Sequence, residues 1–451
     1  FAVGGSFTLS IVNSINAATT GVVTLTGVTR VSGTAADINT AYASNAVGTI
    51  AGLGNEAVTI TGTTSAAADI NTANTNTTGV VTVDSTTITG TAAQLTTLYA
   101  ANTAGTVAGL GNEAINLDSP ITVAQLNTVS VLTTGNVTAT VSDNDVDTLA
   151  GITEAGNNLT LTLTDATSVA ASSLNAIDAK TTGVLQVTST NITGTAAEIA
   201  TAYAANTAGT ITGLGSESIT VDSGTVSVAQ VNTLAAATTG TVTATVTEGD
   251  VTTLKTIAES GNALSYTVTD ASVAANDLTT LDAATTGNLT VTSTNITGTA
   301  AEITTAYTAN TAGTIGGLGN ESVTVNSGTA SVAQVNTLAA ATTGTVTATV
   351  TEGDAATLKT IAEAGNALSV TVTDASVAAN DLTALDAATT GNVTVTSTSI
   401  SGTASEVTSA YAANTAGTIA GLGNETVTIS DTSVNASSLN TLDDNTTGVI
   451  N

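Results

Sequence analysis

The sequence predicts a repeat solenoid of parallel β-strands with one short helix per coil, on three observations. Thr-Thr-Gly tripeptides recur along the whole chain of 451 residues. The intervals between them hold alternating β-branched and polar residues, typical of half-buried strands, and then apolar residues three or four apart, typical of a helix face. Aromatic residues make up only 2% of the chain, which favours a narrow interior of small aliphatic side chains.

The glycines of the tripeptides mark the unit boundaries. They are Gly21, Gly79, Gly135, Gly183, Gly240, Gly287, Gly344, Gly391 and Gly448. After two long units, short and long units alternate, and one long plus one short unit spans 104 residues, from position 287 to position 391. Such strict self-similarity indicates a repeat architecture. The predicted division is a partial coil at 1–21, long units at 22–79, 80–135, 184–240, 288–344 and 392–448, short units at 136–183, 241–287 and 345–391, and the start of a further coil at 449–451.

Each unit is predicted to hold two coils, which gives about 17 coils in the chain. Strand starts near positions 289, 323, 346, 369 and 393 are 34, 23, 23 and 24 residues apart, so a coil has roughly 23–34 residues. The alternation predicts that Val346, Ala348 and Val350 face the interior. The predicted helix faces carry Leu358, Ile361 and Ala362 in one coil, and Leu382 and Leu385 in the next.

Helix starts carry capping boxes, in which a hydroxyl and a later acid or amide satisfy unpaired backbone N–H groups. The predicted boxes are Thr91 with Gln94, Thr195 with Glu198, Thr299 with Glu302, Thr403 with Glu406, Ser227 with Gln230 and Ser331 with Gln334, and Thr34 with Asp37 is a shorter variant. Thr-Thr-Gly is predicted to end helices, with its glycine in the left-handed conformation.

Charge argues against several partners. Against 34 acidic residues stand only Arg30, Lys180, Lys255 and Lys359, and the formal net charge is −30. Binding to nucleic acid or to an anionic membrane surface depends on Lys and Arg, so neither partner is expected. No apolar run reaches the roughly 18 residues that favour membrane insertion. His and Cys are absent, which excludes the usual Ser-His-Asp and Cys-His nucleophilic sites, and we expect no enzymatic activity.

Acidic clusters where strands pass into helices are weak candidates for Ca²⁺ sites. They consist of Glu248 and Asp250, of Glu352 and Asp354, and of Asp143, Asp145 and Asp147. The alternative is that Asp250 and Asp354 are helix N-caps. Because neither an EF-hand loop nor a GGxGxDxxx repeat is present, the sequence favours the caps, and no cofactor is predicted.

Threonines on the outward side of the strands are predicted to align across coils as flat ladders. They are Thr290, Thr292, Thr324, Thr347, Thr349, Thr371, Thr373, Thr394 and Thr396. Such T-x-T arrays resemble the ice-binding faces of some solenoid antifreeze proteins and ice adhesins. The alternative, which the unequal coil lengths favour, is that threonine is simply a stabilising residue for an exposed strand.

Five tyrosines recur at one helix position in the long units, beside an inserted loop of the type NTAGTIGGLGN. They are Tyr42, Tyr99, Tyr203, Tyr307 and Tyr411. We interpret them as core residues, with a row of exposed rings for lateral packing as the alternative. Asn-x-Thr sequons, such as those at Asn191 and Asn295, leave glycosylation open.

The repeats DAATTGNVTVTSTSI and VTDASVAANDLTALDAATTG resemble arrays in very large secreted cell-surface and adhesin-like proteins of cyanobacteria and other marine bacteria. This resemblance implies an extracellular location. Neither end of the sequence looks like a polar cap, so we expect a segment of a longer array or a subunit that docks onto further copies. The predicted function is therefore a structural filament, fibre or stalk formed by self-association. The alternative is a surface that binds ice or carbohydrate through the threonine ladders.

Overall fold

Helices recur once per coil in the computed structural model, which describes residues 2–164, 167–326 and 328–451. There are 17 helices in these residues, as many as the predicted number of coils. They are α1 (Leu9–Ala18), α2 (Ala35–Ala46), α3 (Ala67–Asn76), α4 (Ala92–Thr103), α5 (Val123–Ser130), α6 (Val146–Ala150), α7 (Ala171–Asp178), α8 (Ala196–Ala208), α9 (Val228–Ala237), α10 (Val251–Leu254), α11 (Ala275–Ala284), α12 (Ala300–Ala312), α13 (Val332–Ala341), α14 (Ala355–Leu358), α15 (Ala379–Ala388), α16 (Ala404–Ala416) and α17 (Ala436–Asp443).

Short strands separate the helices. They are β1 (Ala2–Thr8), β2 (Val23–Gly33), β3 (Ile50–Ala51), β4 (Ala57–Ile60), β5 (Thr64–Ala66), β6 (Val81–Val83), β7 (Thr87–Gly90), β8 (Val107–Ala108), β9 (Ala114–Leu117), β10 (Val137–Thr140), β11 (Asn158–Leu163), β12 (Val169–Ala170), β13 (Leu185–Val187), β14 (Asn191–Gly194), β15 (Ile211–Thr212), β16 (Ser218–Val221), β17 (Val242–Thr245), β18 (Ala263–Val268), β19 (Ser272–Ala274), β20 (Leu289–Val291), β21 (Asn295–Gly298), β22 (Ile315–Gly316), β23 (Ser322–Val325), β24 (Val346–Thr349), β25 (Ala367–Val372), β26 (Ser376–Ala378), β27 (Val393–Val395), β28 (Ser399–Gly402), β29 (Ile419–Ala420) and β30 (Thr426–Ile429). Many coils therefore carry two strands, where the sequence predicts one.

The first compact unit comprises Phe1–Ser223 and Ala237–Gly240. One of its sheets has the order β1-β2-β4-β6-β8 with β3 also on β2, and another has the order β15-β13-β11-β10-β9-β7-β5. The strands pair in parallel, with Ile88 opposite Ile115 and Val81 opposite Val107. β12, β14 and β16 form a further parallel ladder.

The second compact unit comprises Gly224–Ala236 and Thr241–Asn451. It contains a seven-stranded sheet in the order β19-β21-β23-β24-β25-β27-β29, and a three-stranded sheet in the order β26-β28-β30. β17, β18, β20 and β22 pair in parallel as well. Equivalent residues of successive coils lie side by side: Val370 pairs with Val393, which pairs with Ile419. The predicted solenoid of parallel strands and helices is confirmed.

The interior is formed by the residues that the alternation predicts. Val346, Ala348 and Val350 are buried, and so are Leu382 and Leu385 of α15.

One helix is shorter than the sequence predicts. α14 ends at Leu358, so Ile361 lies past the helix and is only half-buried, and Ala362 is exposed. The N–H groups of Thr360 and Ile361 donate to the carbonyls of Thr357 and Leu358. These tight-turn bonds take the place of a continued α-helix.

The predicted capping boxes are confirmed. In a typical one, Glu302 N donates to Thr299 Oγ1 at 3.2 Å and Thr299 N donates to Glu302 Oε2 at 2.8 Å. Reciprocal bonds of this kind occur at Thr91, Thr195, Thr299, Thr403, Ser227 and Ser331. Thr34 accepts from Asp37 N, as expected of a shorter arm.

The explanation given for the Thr-Thr-Gly glycines is wrong. None of the nine has a left-handed φ. From Gly79 onward, each instead lies so close to the coil before it that an added Cβ would collide with a backbone carbonyl, which is Glu321 O in the case of Gly344. The left-handed glycines that end helices are Gly209, Gly313 and Gly417, in the NTAG segments.

The first threonine of the tripeptide joins the coils at the same place. Thr342 donates its hydroxyl to Glu321 O in the preceding coil at 2.6 Å and accepts from Gly344 N at 3.0 Å. The equivalent hydroxyl donates to a carbonyl of the preceding coil in Thr77, Thr133, Thr181, Thr238, Thr285, Thr389 and Thr446. The tripeptide therefore attaches each unit to the coil before it.

Candidate functional site

Three aspartates among the calcium candidates are helix N-caps. Asp145, Asp250 and Asp354 accept from the backbone N–H of Thr148, Thr253 and Thr357, each at 2.8 Å. These hydrogen bonds, from the threonine side chain and backbone, lower the pKa of all three carboxyls. Their carboxylates thus satisfy the free N–H groups at helix starts, as the alternative interpretation predicts for Asp250 and Asp354, and Asp145 is a further cap.

Three other candidates cap a helix of the preceding coil. Asp143 accepts from Val123 N at 2.6 Å. Glu248 and Glu352 accept from the N–H of Val228 and Val332, both at 3.0 Å. Each donor is the first residue of a helix that begins about 20 residues earlier, so the carboxylate links two coils.

Three further carboxylates have this role and are not among the residues predicted from the sequence. Asp270, Asp374 and Asp431 accept from the first N–H of α10, α14 and α16. The signal available in the sequence is an acidic residue placed about one coil length after a helix start.

The carboxylates do not assemble into a metal cluster. Asp147 is exposed in the first turn of α6, while Asp143 and Asp145 bond different helix starts. Among the residues that the structure describes, no group of three or more His, Cys, Asp or Glu side chains could hold a metal ion.

The threonine ladders exist but are short. Thr324 pairs with Thr347, and Thr371 with Thr394, in the parallel register. Thr347 is followed by Ala367 and Thr394 by Ala420, and Thr290 is followed by Gly316. Gly316 and Ala420 lie in two-residue strands that lead directly into glycine loops, so the hydroxyl row stops there.

Some of the nine threonines lie outside the ladders. Thr292, Thr373 and Thr396 follow the ends of their strands. Thr292 and Thr396 donate to the carbonyls of Val268 and Val372 in the preceding coil. At these nine positions, the predicted alignment of threonines across coils therefore holds only for pairs of neighbouring strands.

The recurrent tyrosines are core residues, as predicted. All five are at most 6% exposed, so the alternative of exposed stacking rings is wrong. In α2, α8, α12 and α16 the tyrosine hydroxyl donates to a glutamate 14 residues later, as Tyr307 does to Glu321. Burial, reinforced by the hydrogen bond and the charge of Glu321, raises the pKa of Tyr307.

The partner glutamates are polar core residues that are not among those predicted from the sequence. Glu56, Glu113, Glu217, Glu321 and Glu425 are 1–4% exposed. Glu321 Oε2 accepts from Gly319 N at 2.9 Å and from Asn320 N at 3.0 Å. The glutamate thus fixes the backbone of the glycine loop from inside, and the available signal is its recurrence directly after the GLGN or GLGS segment.

The sequon asparagines hold successive coils together. Asn295 donates through Nδ2 to Ser272 Oγ at 3.1 Å and accepts from Thr324 Oγ1 at 3.1 Å. Asn191 makes the same two bonds with Ser168 and Thr220, both at 3.2 Å. Their amide groups are thus engaged in the fold.

Comparison of the sequence with models of known protein families gave no match. Comparison with curated proteins gave no significant relative. Across the described residues, no helix combines the length and the apolar character needed to span a bilayer.

Proposed function

We propose that this chain is a structural element of an extracellular filament, fibre or stalk, and that it does not catalyse a reaction. One observation carries the proposal: successive coils are joined by a few kinds of bond that recur along the chain. These comprise parallel backbone ladders, the hydroxyl of the first Thr-Thr-Gly threonine, and carboxylates that cap a helix of the preceding coil.

Mechanical resistance follows from this arrangement. At a junction that carries all three, such as the one joined by Thr342 and Glu352, separating the coils requires breaking the ladder bonds, the threonine bond and the cap together. In repeat proteins, stability is roughly a sum of such nearest-neighbour terms. A chain with this construction is suited to carrying load between its coils.

Self-association is the second part of the proposal. The bonds between coils use mainly backbone groups and short polar side chains, so a coil of one copy could bond to a coil of another in the same way. The formal charge of −30 would keep crowded copies soluble and discourage disordered association. The extracellular location is supported by the resemblance to secreted cell-surface arrays.

Electron microscopy and fibre diffraction of the purified chain test this proposal. We expect regular fibres with a reflection near about 4.8 Å along the fibre axis, because the strands stack in that direction. Thr371→Lys combined with Thr394→Lys should prevent lateral packing of fibres and leave single fibres intact. A chain that stays monomeric at every concentration in sedimentation would contradict the proposal.

The second candidate is a surface that binds ice or carbohydrate. The exposed pairs Thr371–Thr394 and Thr267–Thr290 favour it. Thermal hysteresis of the monomeric chain, lost in the same double lysine variant, would support ice binding. Retention on a glycan array, lost in that variant, would support carbohydrate binding.

A further inference from the structure

One of the five glycine loops is anchored less well than the others. In the coils of α2, α8, α12 and α16, the tyrosine hydroxyl reaches the buried glutamate. In the coil of α4, Tyr99 Oη and Glu113 Oε1 are buried and have no hydrogen-bond partner among the described residues. The two groups are 4% and 3% exposed, respectively, as residues.

A second set of bonds is missing from the same coil. Asn310 accepts from Leu318 N at 3.3 Å and donates to Leu318 O at 3.4 Å, which fastens the loop to the end of α12. The same two bonds occur at Asn45, Asn206 and Asn414. In described residues 92–113, no such bond joins Asn102 to Leu110. The loop keeps the two N–H bonds from Gly111 and Asn112 to Glu113 Oε2, and backbone bonds such as the one from Thr134 N to Gly111 O.

Leu98 distinguishes this coil. The residue before the tyrosine is alanine in the other four helices, at Ala41, Ala202, Ala306 and Ala410, and all five residues are fully buried. A leucine in place of alanine adds three carbons to a close-packed interior, at the residue next to the tyrosine in the chain. Such overpacking is relieved by moving neighbouring groups, here the tyrosine and the loop.

We propose that the loop after α4, residues 104–113, is a built-in opening point, which detaches from its coil before the four equivalent loops do. Buried groups without partners cost folding free energy, and local opening starts where such contacts are fewest. Among otherwise similar coils, one loop is thereby the defined site of local opening. Opening of this loop does not depend on the proposed filament function, because it is a property of the isolated chain.

Hydrogen exchange of the intact chain, read by mass spectrometry, tests the proposal. We expect residues 104–113 to exchange at least about tenfold faster than 47–56, 208–217, 312–321 and 416–425. Ala306→Leu should bring residues 312–321 to the fast rate, and Leu98→Ala should slow residues 104–113. Tyr99→Phe should leave exchange unchanged, whereas Tyr307→Phe should accelerate it around residues 312–321.

Equal exchange in all five loops would overturn the proposal. Slow exchange of residues 312–321 in the Ala306→Leu variant would overturn it as well. This second variant is needed because Leu98→Ala also leaves a cavity, which by itself destabilises the coil.

Discussion

Two carboxylates in neighbouring coils satisfy backbone N–H groups in opposite surroundings. Glu321 lies inside the long unit at 3% exposure and fixes the N–H groups of Gly319 and Asn320. Glu352 lies half-buried in the short unit and accepts a single N–H from Val332 of the coil before. The same chemical group therefore serves once as part of the core and once as a contact near solvent.

The difference shows where this fold is sensitive. A buried carboxylate leaves several polar groups unpaired when it is lost, and water cannot replace it. At a carboxylate near the surface, water takes over the hydrogen bond and screens the charge. Four experiments follow from this contrast, from the largest expected effect to the smallest.

Glu321→Ala should lower the free energy of unfolding by about 3–5 kcal/mol, because two N–H groups and the Tyr307 hydroxyl lose their acceptor. Urea denaturation measures the loss. The matched control is Glu352→Ala, for which we expect about 1 kcal/mol or less. Equal losses of unfolding free energy in the two variants would show that burial does not determine how much each carboxylate contributes to stability.

Gly344→Ala should cost about 3 kcal/mol, the upper end for overpacking, because the new methyl group meets a backbone carbonyl of the coil before. Gly313→Ala is the comparison, since it has open space but a left-handed φ of 86°. It should cost about 1 kcal/mol. The order of the two midpoints in urea tests the corrected role of the tripeptide, and the reverse order would contradict the explanation by close backbone approach.

Acid should weaken the exposed caps. The pKa of Asp354 is lowered in the fold, from an ordinary value of 3.8, by its hydrogen bonds from Thr357. The folded state therefore binds this proton less well than the unfolded state. The stabilisation is present above pH 3.8 and is lost as the pH falls through the lower pKa of the fold.

Asp354→Asn tests this dependence, because asparagine is also a good N-cap. Stability near neutral pH should stay nearly the same, and the melting temperature should fall less between pH 4 and pH 2 than in the unchanged chain. An identical acid profile would assign the acid sensitivity to other groups.

Lys359→Met should have the smallest effect. Lys359 Nζ lies 2.8 Å from Asp381 Oδ1, and both side chains are partly exposed, at 43% and 22%. Such pairs contribute at most about 1 kcal/mol. Thermal unfolding in low salt should show the difference, and 1 M NaCl should remove it. A difference that persists in high salt would indicate a packing role of the lysine stem.

The periodic features of this molecule could be predicted from sequence. Alternation identified Val346 and Ala348 as interior residues, and the Thr299–Glu302 spacing identified a helix start, because both depend on local geometry. The roles of residues that join neighbouring coils were harder to predict from the sequence. Glu352 bonds a helix that begins 20 residues earlier, and a local pattern contains no information about that partner.

Two errors arise because the role of a residue depends on contacts that its residue type does not reveal. A left-handed φ was predicted for Gly344 because glycine is favoured both at left-handed positions and where two backbones approach closely. The residue type alone does not distinguish these two reasons. Glu321 was overlooked because glutamate is ordinarily exposed, and its burial depends on the loop folding over it.

The Thr-Thr-Gly junction also bears on how such a chain changes length. The junction around Gly344 and Thr342 engages only the adjacent coil, so it is satisfied by any upstream neighbour that offers an equivalent carbonyl. A gene segment encoding a long and a short unit, 104 residues, can thus be duplicated or deleted in frame with every junction preserved. Recombination between copies would change the number of coils without requiring new side chains.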